Sequence, residues 1–436
     1  MSEQENSKGK WMALLAAFLG WMFDGLEIGL FPLAGRPAMQ ELLHATGPQA
    51  DQLIGQWMSG IVASFLLGAA LGGTVFGWLG DRIGRVRAMI FSVLAYSLFS
   101  GACVFVQSPF QLAALRFIAS MGMGGEWALG VSLVSEIWPA RSRPLLSGLI
   151  GAAANVGFMI VGFVGLGVSK FITGLGSLLS FLPHSWVDAL LRHDGWRMIF
   201  LVGAIPALLT FFIRMFVPES EKWKSATTSG PKPRVADIFA PGLARNTILG
   251  ACLAGIALLG TWGAVQFLPA WASKFTNDPL KAAWTQIFSA VGACTIPVVV
   301  ALLAQQFSRR TAYIGLCVLS LLSCEALYLL FRTEPHFGFL FLLLATLVNG
   351  ITAGFYGWLP LYLPELFPTR VRATGAGFTF NAGRVIAATG TFLASGNLLK
   401  LFGSYATMGS IMCLVYLLGL VVIFFCPETT GKPLPE

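Results

Sequence analysis

The chain has 436 residues, and only 11% of them are charged, against about 25% in an ordinary soluble domain. Hydrophobic residues make up 56% of it, and the mean hydropathy is +0.74. These values exclude a soluble globular protein, a disordered chain, a collagen and a small disulfide scaffold, and leave a polytopic membrane protein. The net charge of +8 is expected to set topology rather than to bind nucleic acid. The polar first ten residues run into an apolar stretch too long for a cleavable signal peptide, so none is expected. Of the seven cysteines, six fall inside predicted spans and Cys426 ends the last, with no CxxC or Cys/His cluster. Neither a disulfide framework nor a metal site is indicated.

A spanning helix needs roughly 20 apolar residues. Apolar stretches predict twelve of them, near 11–33, 55–79, 88–106, 110–138, 145–168, 196–216, 246–270, 282–305, 312–331, 337–363, 373–395 and 403–425. The connection 169–195 holds an amphipathic stretch, Ser180 to Arg192, and the connection 217–245 is basic and contains a flexible run from Ser225 to Pro231. The expected fold is all-α: an N-terminal six-helix half (1–216), a cytoplasmic linker (217–245) and a C-terminal six-helix half (246–436). With the N-terminus in the cytoplasm, 17 Lys and Arg fall on that side and 8 on the other, while Arg116, Arg214 and Arg384 lie within spans. This bias predicts a multi-pass protein of the cytoplasmic (plasma or inner) membrane with both termini inside.

The halves echo each other. Glu136-Ile-Trp-Pro139-Ala-Arg141-Ser-Arg143 follows the fourth helix, and Glu365-Leu-Phe-Pro368-Thr-Arg370-Val-Arg372 follows the tenth. Both read E-x-x-P-x-R-x-R, 229 residues apart at equivalent topological positions. A weaker echo links Gly80-Asp81-Arg82-Ile-Gly84-Arg85 with Ser308-Arg309-Arg310. Duplicated six-helix halves are typical of secondary transporters.

The segment from Gly77 to Arg87, with Gly77, Gly80, Asp81, Arg82, Gly84 and Arg85, resembles the helix 2–3 signature of the major facilitator superfamily. Pro218-Glu219-Ser220 and Pro427-Glu428-Thr429 resemble the endings of its sugar-porter type. Arg116-Phe followed by Gly122-x-Gly124-Gly125-Glu126-Trp127 resembles the fourth helix of its proton-coupled organic-acid and sialic-acid symporters. The resemblance covers nearly the whole chain. Asp24-Gly25-Leu26-Glu27 is similar to the D-G-x-D of aromatic-acid/proton symporters, with Glu in place of the second Asp. The seventh helix, Gly260-Thr-Trp262-Gly-Ala-Val-Gln266, lacks the paired Gln of sugar porters. The resemblance implies a conformational latch at Gly77, Asp81, Arg82, Gly84 and Arg85. Glu136, Arg141, Arg143, Glu365, Arg370 and Arg372 are expected to add charge pairs to it. The competing reading makes these arginines topology anchors only.

Ionisable side chains at bilayer depth are costly and therefore candidates for function. Asp24 and Glu27 share one face of the first helix and repel, so one of them is expected to hold a proton. Glu126 is a second proton carrier or a gate partner. A Glu27–Arg116 bridge is the structural alternative. Arg384, at the middle of the eleventh helix, offers a bidentate fork to a substrate carboxylate, with Asn381 one turn away; the alternative is a permanent bridge to Asp24 or Glu126. Asn155, Arg116, Gln266, Trp127 and Tyr356 complete the expected substrate site, and Trp262, Asn349 and Trp358 are further cavity candidates. Glu325 is expected to pair with a neighbouring helix, and Arg214 to snorkel. No HExxH, GxSxG or Walker motif occurs. The expected function is secondary active transport: proton-coupled symport of a small carboxylate by alternating access, with the proton gradient as the coupling ion and no cofactor. A sugar or polyol porter, an antiporter or exporter, and a nutrient sensor are the alternatives. A monomer in lipid is expected, without nucleic acid and without enzymatic activity.

Overall fold

A computed structural model describes residues 3–44, 48–228, 232–333, 335–393 and 403–436. The side chain of Arg214 and the end of the flexible run, 229–231, lie outside the described residues. Regular structure among the described residues is entirely helical. Among the described residues ten helical segments are long and apolar enough to cross a membrane. They comprise α1 (Glu3–Leu43), α2 (Pro48–Ile83), α3 (Arg85–Ala102), α4 (Pro109–Ile137) and α5 (Arg143–Leu166) in the first half of the chain.

The sixth predicted span is broken. It forms α8 (Trp196–Val202) and α9 (Ala207–Phe216), separated by turns over Gly203 to Pro206. Pro206 removes a backbone donor there, which is enough to interrupt a helix. Ahead of it, the 169–195 connection folds into α6 (Val168–Leu178) and α7 (His184–Leu191), a helical pair rather than an open loop. After the short linker helix α10 (Glu221–Thr228), the second half contains α11 (Ala244–Gly260) and α12 (Leu268–Thr276). A π-helical turn over Thr261–Val265 joins them into one span. Then come α13 (Pro279–Gln306), α14 (Arg309–Leu330), α15 (Phe339–Tyr362), α16 (Arg372–Leu393), α17 (Tyr405–Cys413) and α18 (Val415–Val422). The last two, with the turn that follows, make one span. α16 has the length of a span, yet Thr374, Thr379, Asn381 and Arg384 lower its hydropathy. With α8–α9 and α16, the bundle has twelve spans in two pseudo-symmetric halves.

Helix starts follow ordinary capping chemistry. Ser108, Asp278, Ser308 and Ser404 each accept a backbone N–H at the start of their helix. In α4 and α13 a proline occupies the first turn, where its missing N–H is harmless. The halves meet where side chains vanish. A Cβ on Gly377 of α16 would strike the carbonyl of Gly73 on α2, and a Cβ on Gly151 of α5 would strike the carbonyl of Tyr356 on α15. Close backbone approach of this kind replaces the hydrophobic drive that lipid cannot supply. Glu325 accepts a bond from Cys413 of α17 at 3.3 Å, so it does pair with a neighbouring helix.

Candidate functional site

A central cavity lies between the halves. Its walls include Trp21 and Asp24 of α1, Asn155 of α5, Gln266 at the end of the π turn, Tyr356 of α15 and Arg384 of α16. Gln286, Asn349, Trp262 and Phe158 complete a lining of amides and aromatic faces. The π turn places Trp262 and Gln266 toward one space, a role such bulges often have.

One acidic and one basic side chain line this space. Asp24 is 1% exposed, and neither carboxylate oxygen has a hydrogen-bond partner. The Arg384 Nη1 donates to Asn381 Oδ1 at 3.2 Å. Its guanidinium carbon lies 5.1 Å from the Phe380 ring centroid and 5.5 Å from that of Trp21. Among the described residues no carboxylate oxygen lies within 4.0 Å of it. Asn381 does not line the cavity. Its amide nitrogen is tied to the Gly377 and Gly124 carbonyls, at 2.8 and 3.3 Å, so its oxygen is held toward Arg384.

Four other expected site residues, Glu126, Trp127, Arg116 and Glu27, sit behind the wall. Glu126 is buried on α4 with both oxygens unpartnered. Gly20 makes room for it, since a Cβ there would collide with the carboxylate. Asp24 and Glu126 are close enough to act on each other by charge. Trp127 is stacked on Phe380, centroids 3.9 Å apart, and supports that ring instead of facing the cavity. Arg116 donates to Glu27 Oε1 at 2.5 Å, Ser100 also donates to Glu27, and the guanidinium is ringed by Phe31, Phe65 and Phe200. The bridge weighed as the alternative for Glu27 is therefore the arrangement present. Trp358 is also away from the cavity, donating to the Arg309 carbonyl at 2.9 Å.

A second constellation closes one end of the bundle. Asp81 accepts from Arg85 at 2.5 Å and from the backbone N–H groups of Ala373 and Thr374, at 3.2 and 2.8 Å. A carboxylate of α2 thus sits on the N-terminal turn of α16, where the helix dipole favours it. Glu136 accepts from Arg85 at 2.9 Å and from Arg372 at 3.0 Å, joining the halves through one carboxylate. Gly84, with φ +112°, permits the turn between α2 and α3, and Glu219 accepts from the N–H groups of Arg85 and Val86 at its far side.

The second half repeats the pattern. Arg309 pairs with Glu365 at 2.9 Å and donates to the Ala304 carbonyl, as Arg85 does to that of Gly80. Glu428 accepts from the N–H groups of Arg309 and Arg310, at 3.2 and 3.1 Å, as Glu219 does in the first half. The two carboxyls titrate differently. Burial pushes Glu219 above the usual carboxylate range. At Glu428 burial is outweighed by hydrogen bonds from Thr430 and from the Arg309 and Arg310 backbone, which bring it to about 2.

Not all expected latch residues join. Arg82 and Arg141 are exposed, and Arg82 lies over the Trp78 ring. Arg370 pairs with Asp237 of the linker at 2.9 Å. Arg143 is buried facing Glu365 and Arg309, but no carboxylate lies within 4.0 Å of it among the described residues. Arg309, Glu219 and Glu428 join the network without being expected from the sequence. The Ser308-Arg309-Arg310 echo and the paired Pro-Glu-Ser/Thr endings carried the signal.

Duplicated halves around a polar central cavity, closed at one end by charge pairs, define a secondary-transporter architecture. Residues 11–391 match the Major Facilitator Superfamily, and the chain belongs to that family. It is 29% identical to a putative metabolite transport protein of Haemophilus influenzae, over 100% of both chains. It is 30% identical to a probable 4-methylmuconolactone transporter of Cupriavidus pinatubonensis, covering 95% of this chain and 90% of the relative. It is 27% identical to a cis,cis-muconate transport protein of Acinetobacter baylyi, covering 97% and 95%. In fold it is similar to the proton:xylose symporter XylE bound to 6-bromo-6-deoxy-D-glucose, with a TM-score of 0.74, 18% identity and 98% of each chain covered.

Proposed function

We propose that the chain is a proton-coupled symporter of a small organic carboxylate, working by alternating access in the cytoplasmic membrane with both termini inside. The observation that carries this reading is Arg384, a cavity-lining guanidinium held by an amide and two aromatic faces and not ion-paired to any described carboxylate. A substrate carboxylate can take its fork with two parallel hydrogen bonds. The amides of Asn155, Gln266 and Asn349 and the Tyr356 hydroxyl supply further polar contacts, and the aromatic faces cover the substrate body. The names of the relatives from Cupriavidus and Acinetobacter, which concern organic acids or their lactones, support the substrate class.

Coupling follows from the second charge. When the cavity is empty, Asp24 and Arg384 attract each other. An arriving carboxylate replaces that partner, and Asp24, with no hydrogen bond to stabilise its anion, takes a proton. Glu126 behind it accepts or returns the proton on the other side of the cycle. The Glu27–Arg116 pair is a fixed strut. The halves 1–216 and 246–436 rock about the cavity, tethered by the linker 217–245, and the Asp81, Arg85, Glu136 and Arg372 cluster holds the cytoplasmic side shut in this conformation.

The test is uptake into proteoliposomes under an inward proton gradient, after a carboxylate that raises the thermal stability of the purified protein has been found. Arg384→Ala is expected to abolish uptake, and collapsing the gradient is expected to abolish accumulation. Near-normal uptake by the variant sinks carboxylate docking, and gradient-independent accumulation sinks symport.

A further inference from the structure

At the latch end, outside the central cavity, a cleft of about 720 Å³ opens between the end of α2, the linker and the start of α16. Four cations line it: Arg82 from the first half, Lys232 and Arg234 from the linker, and Arg370 from the second half. Among the described residues of the lining the one acidic side chain, Asp237, is already engaged, accepting from Arg370 at 2.9 Å and from the Arg234 N–H at 3.1 Å. The cleft therefore carries a surplus of positive charge. It is also tied together, since Trp78 of α2 donates to the Pro233 carbonyl at 3.1 Å and Arg82 lies over the Trp78 ring.

The helix below the cleft indicates what kind of anion fits. Leu67, Leu71 and Val75 are 52%, 49% and 36% exposed, and with Trp78 and Arg82 they recur every three or four residues. This spacing draws one stripe along α2 that climbs from apolar side chains through an indole to a guanidinium. Leu66, which lines an inner cavity, falls outside that spacing, so the stripe lies on the face turned away from the cavity and toward the bilayer. Trp at the boundary and basic side chains just above it are the ordinary signature of the headgroup region. A soluble anion has no use for the apolar stripe; a lipid has use for both parts.

We propose that this cleft binds the phosphate headgroup of an anionic phospholipid from the adjacent leaflet, with its acyl chains lying along Leu71 and Val75. Because the cations come from both halves and the linker, the lipid bridges them only while this end of the bundle is closed, and so favours the closed state. Basic pockets between helices on the cytoplasmic side are a recognised way to hold such headgroups.

The experiment uses the full-length protein in neutral detergent. Its melting temperature is followed while dioctanoyl phosphatidylglycerol, dioctanoyl phosphatidylcholine or inorganic phosphate is added, for the wild type and for Lys232→Gln/Arg234→Gln. These two side chains are exposed and outside the latch and cavity, so the variant is expected to fold. Phosphatidylglycerol is expected to stabilise the wild type, phosphatidylcholine and phosphate are not, and the variant is expected to need about tenfold more phosphatidylglycerol for the same shift. Equal response of wild type and variant overturns the site. Equal stabilisation by phosphatidylcholine overturns headgroup selection, and equal stabilisation by phosphate reassigns the cleft to a soluble anion. Lipid retention counted by native mass spectrometry, with phosphatidylglycerol and phosphatidylcholine competing on the wild type, gives a second reading without any variant; equal retention overturns the proposal.

Discussion

Arg384 sits among Asn381, Phe380 and Trp21, all of which tolerate a guanidinium but none of which neutralises it. Its planar fork, not merely its charge, is what a carboxylate requires. Arg384→Lys is therefore expected to keep the fold and still raise the substrate concentration for half-maximal uptake about tenfold or more. Asp24 is expected to separate binding from coupling. Asp24→Asn should retain substrate exchange across a liposome membrane while losing accumulation driven by a pH gradient; loss of exchange as well would place Asp24 in substrate binding. A third residue reports on pH. Glu428 is held at about 2, below its ordinary 4.5, so its stabilising contribution is full above the ordinary value and disappears as pH falls toward 2. The melting-temperature difference between wild type and Glu428→Gln is expected to shrink as pH is lowered from 5 to 2.

Among the helices, the twelve apolar stretches were legible because hydropathy is a local property. The break in the sixth span, between α8 and α9, falls at Pro206, which lies inside the single stretch 196–216 that the sequence predicts, and the π turn between α11 and α12 has no signal in the composition. α16 was legible among the twelve although its polar side chains dilute the hydropathy signal. Of those polar residues Arg384 lines the cavity, Asn381 holds it from behind, and Thr374 donates to Asp81 at the closed end. α1 packs closely on α5 at two glycines, since a Cβ on Gly25 would strike the Ala154 carbonyl and one on Gly157 the Met22 carbonyl. Gly25→Val is expected to cost about 1–3 kcal/mol by overpacking, read as a lower melting temperature of the purified protein. An unchanged melting temperature would mean that the two helices part freely.

For the whole molecule, the closed end depends on Glu136, the carboxylate that receives Arg85 from its own half and Arg372 from the other. Removing one partner of a buried ion pair costs about 3–5 kcal/mol in the state that contains it. Glu136→Gln is thus expected to shift the population toward opening at this end. Spin labels at Arg87 and Gln306, both exposed near the latch end of opposite halves, should report a longer distance in the variant. An unchanged distance distribution would make the cluster a topology anchor and not a latch. The sequence by itself determined that the chain is a duplicated, twelve-span membrane protein, which charges lie at bilayer depth and that the fold is that of a transporter family. Those are properties of composition, local period and repeat. Tertiary structure decided which charges meet: Glu27 with Arg116, Glu136 with Arg372 and Arg370 with Asp237, while Arg384 and Asp24 line one cavity without forming an ion pair. Partners 89 to 236 residues apart in sequence are chosen by helix rotation and crossing, and these follow from side-chain packing between helices, which a one-dimensional pattern does not encode.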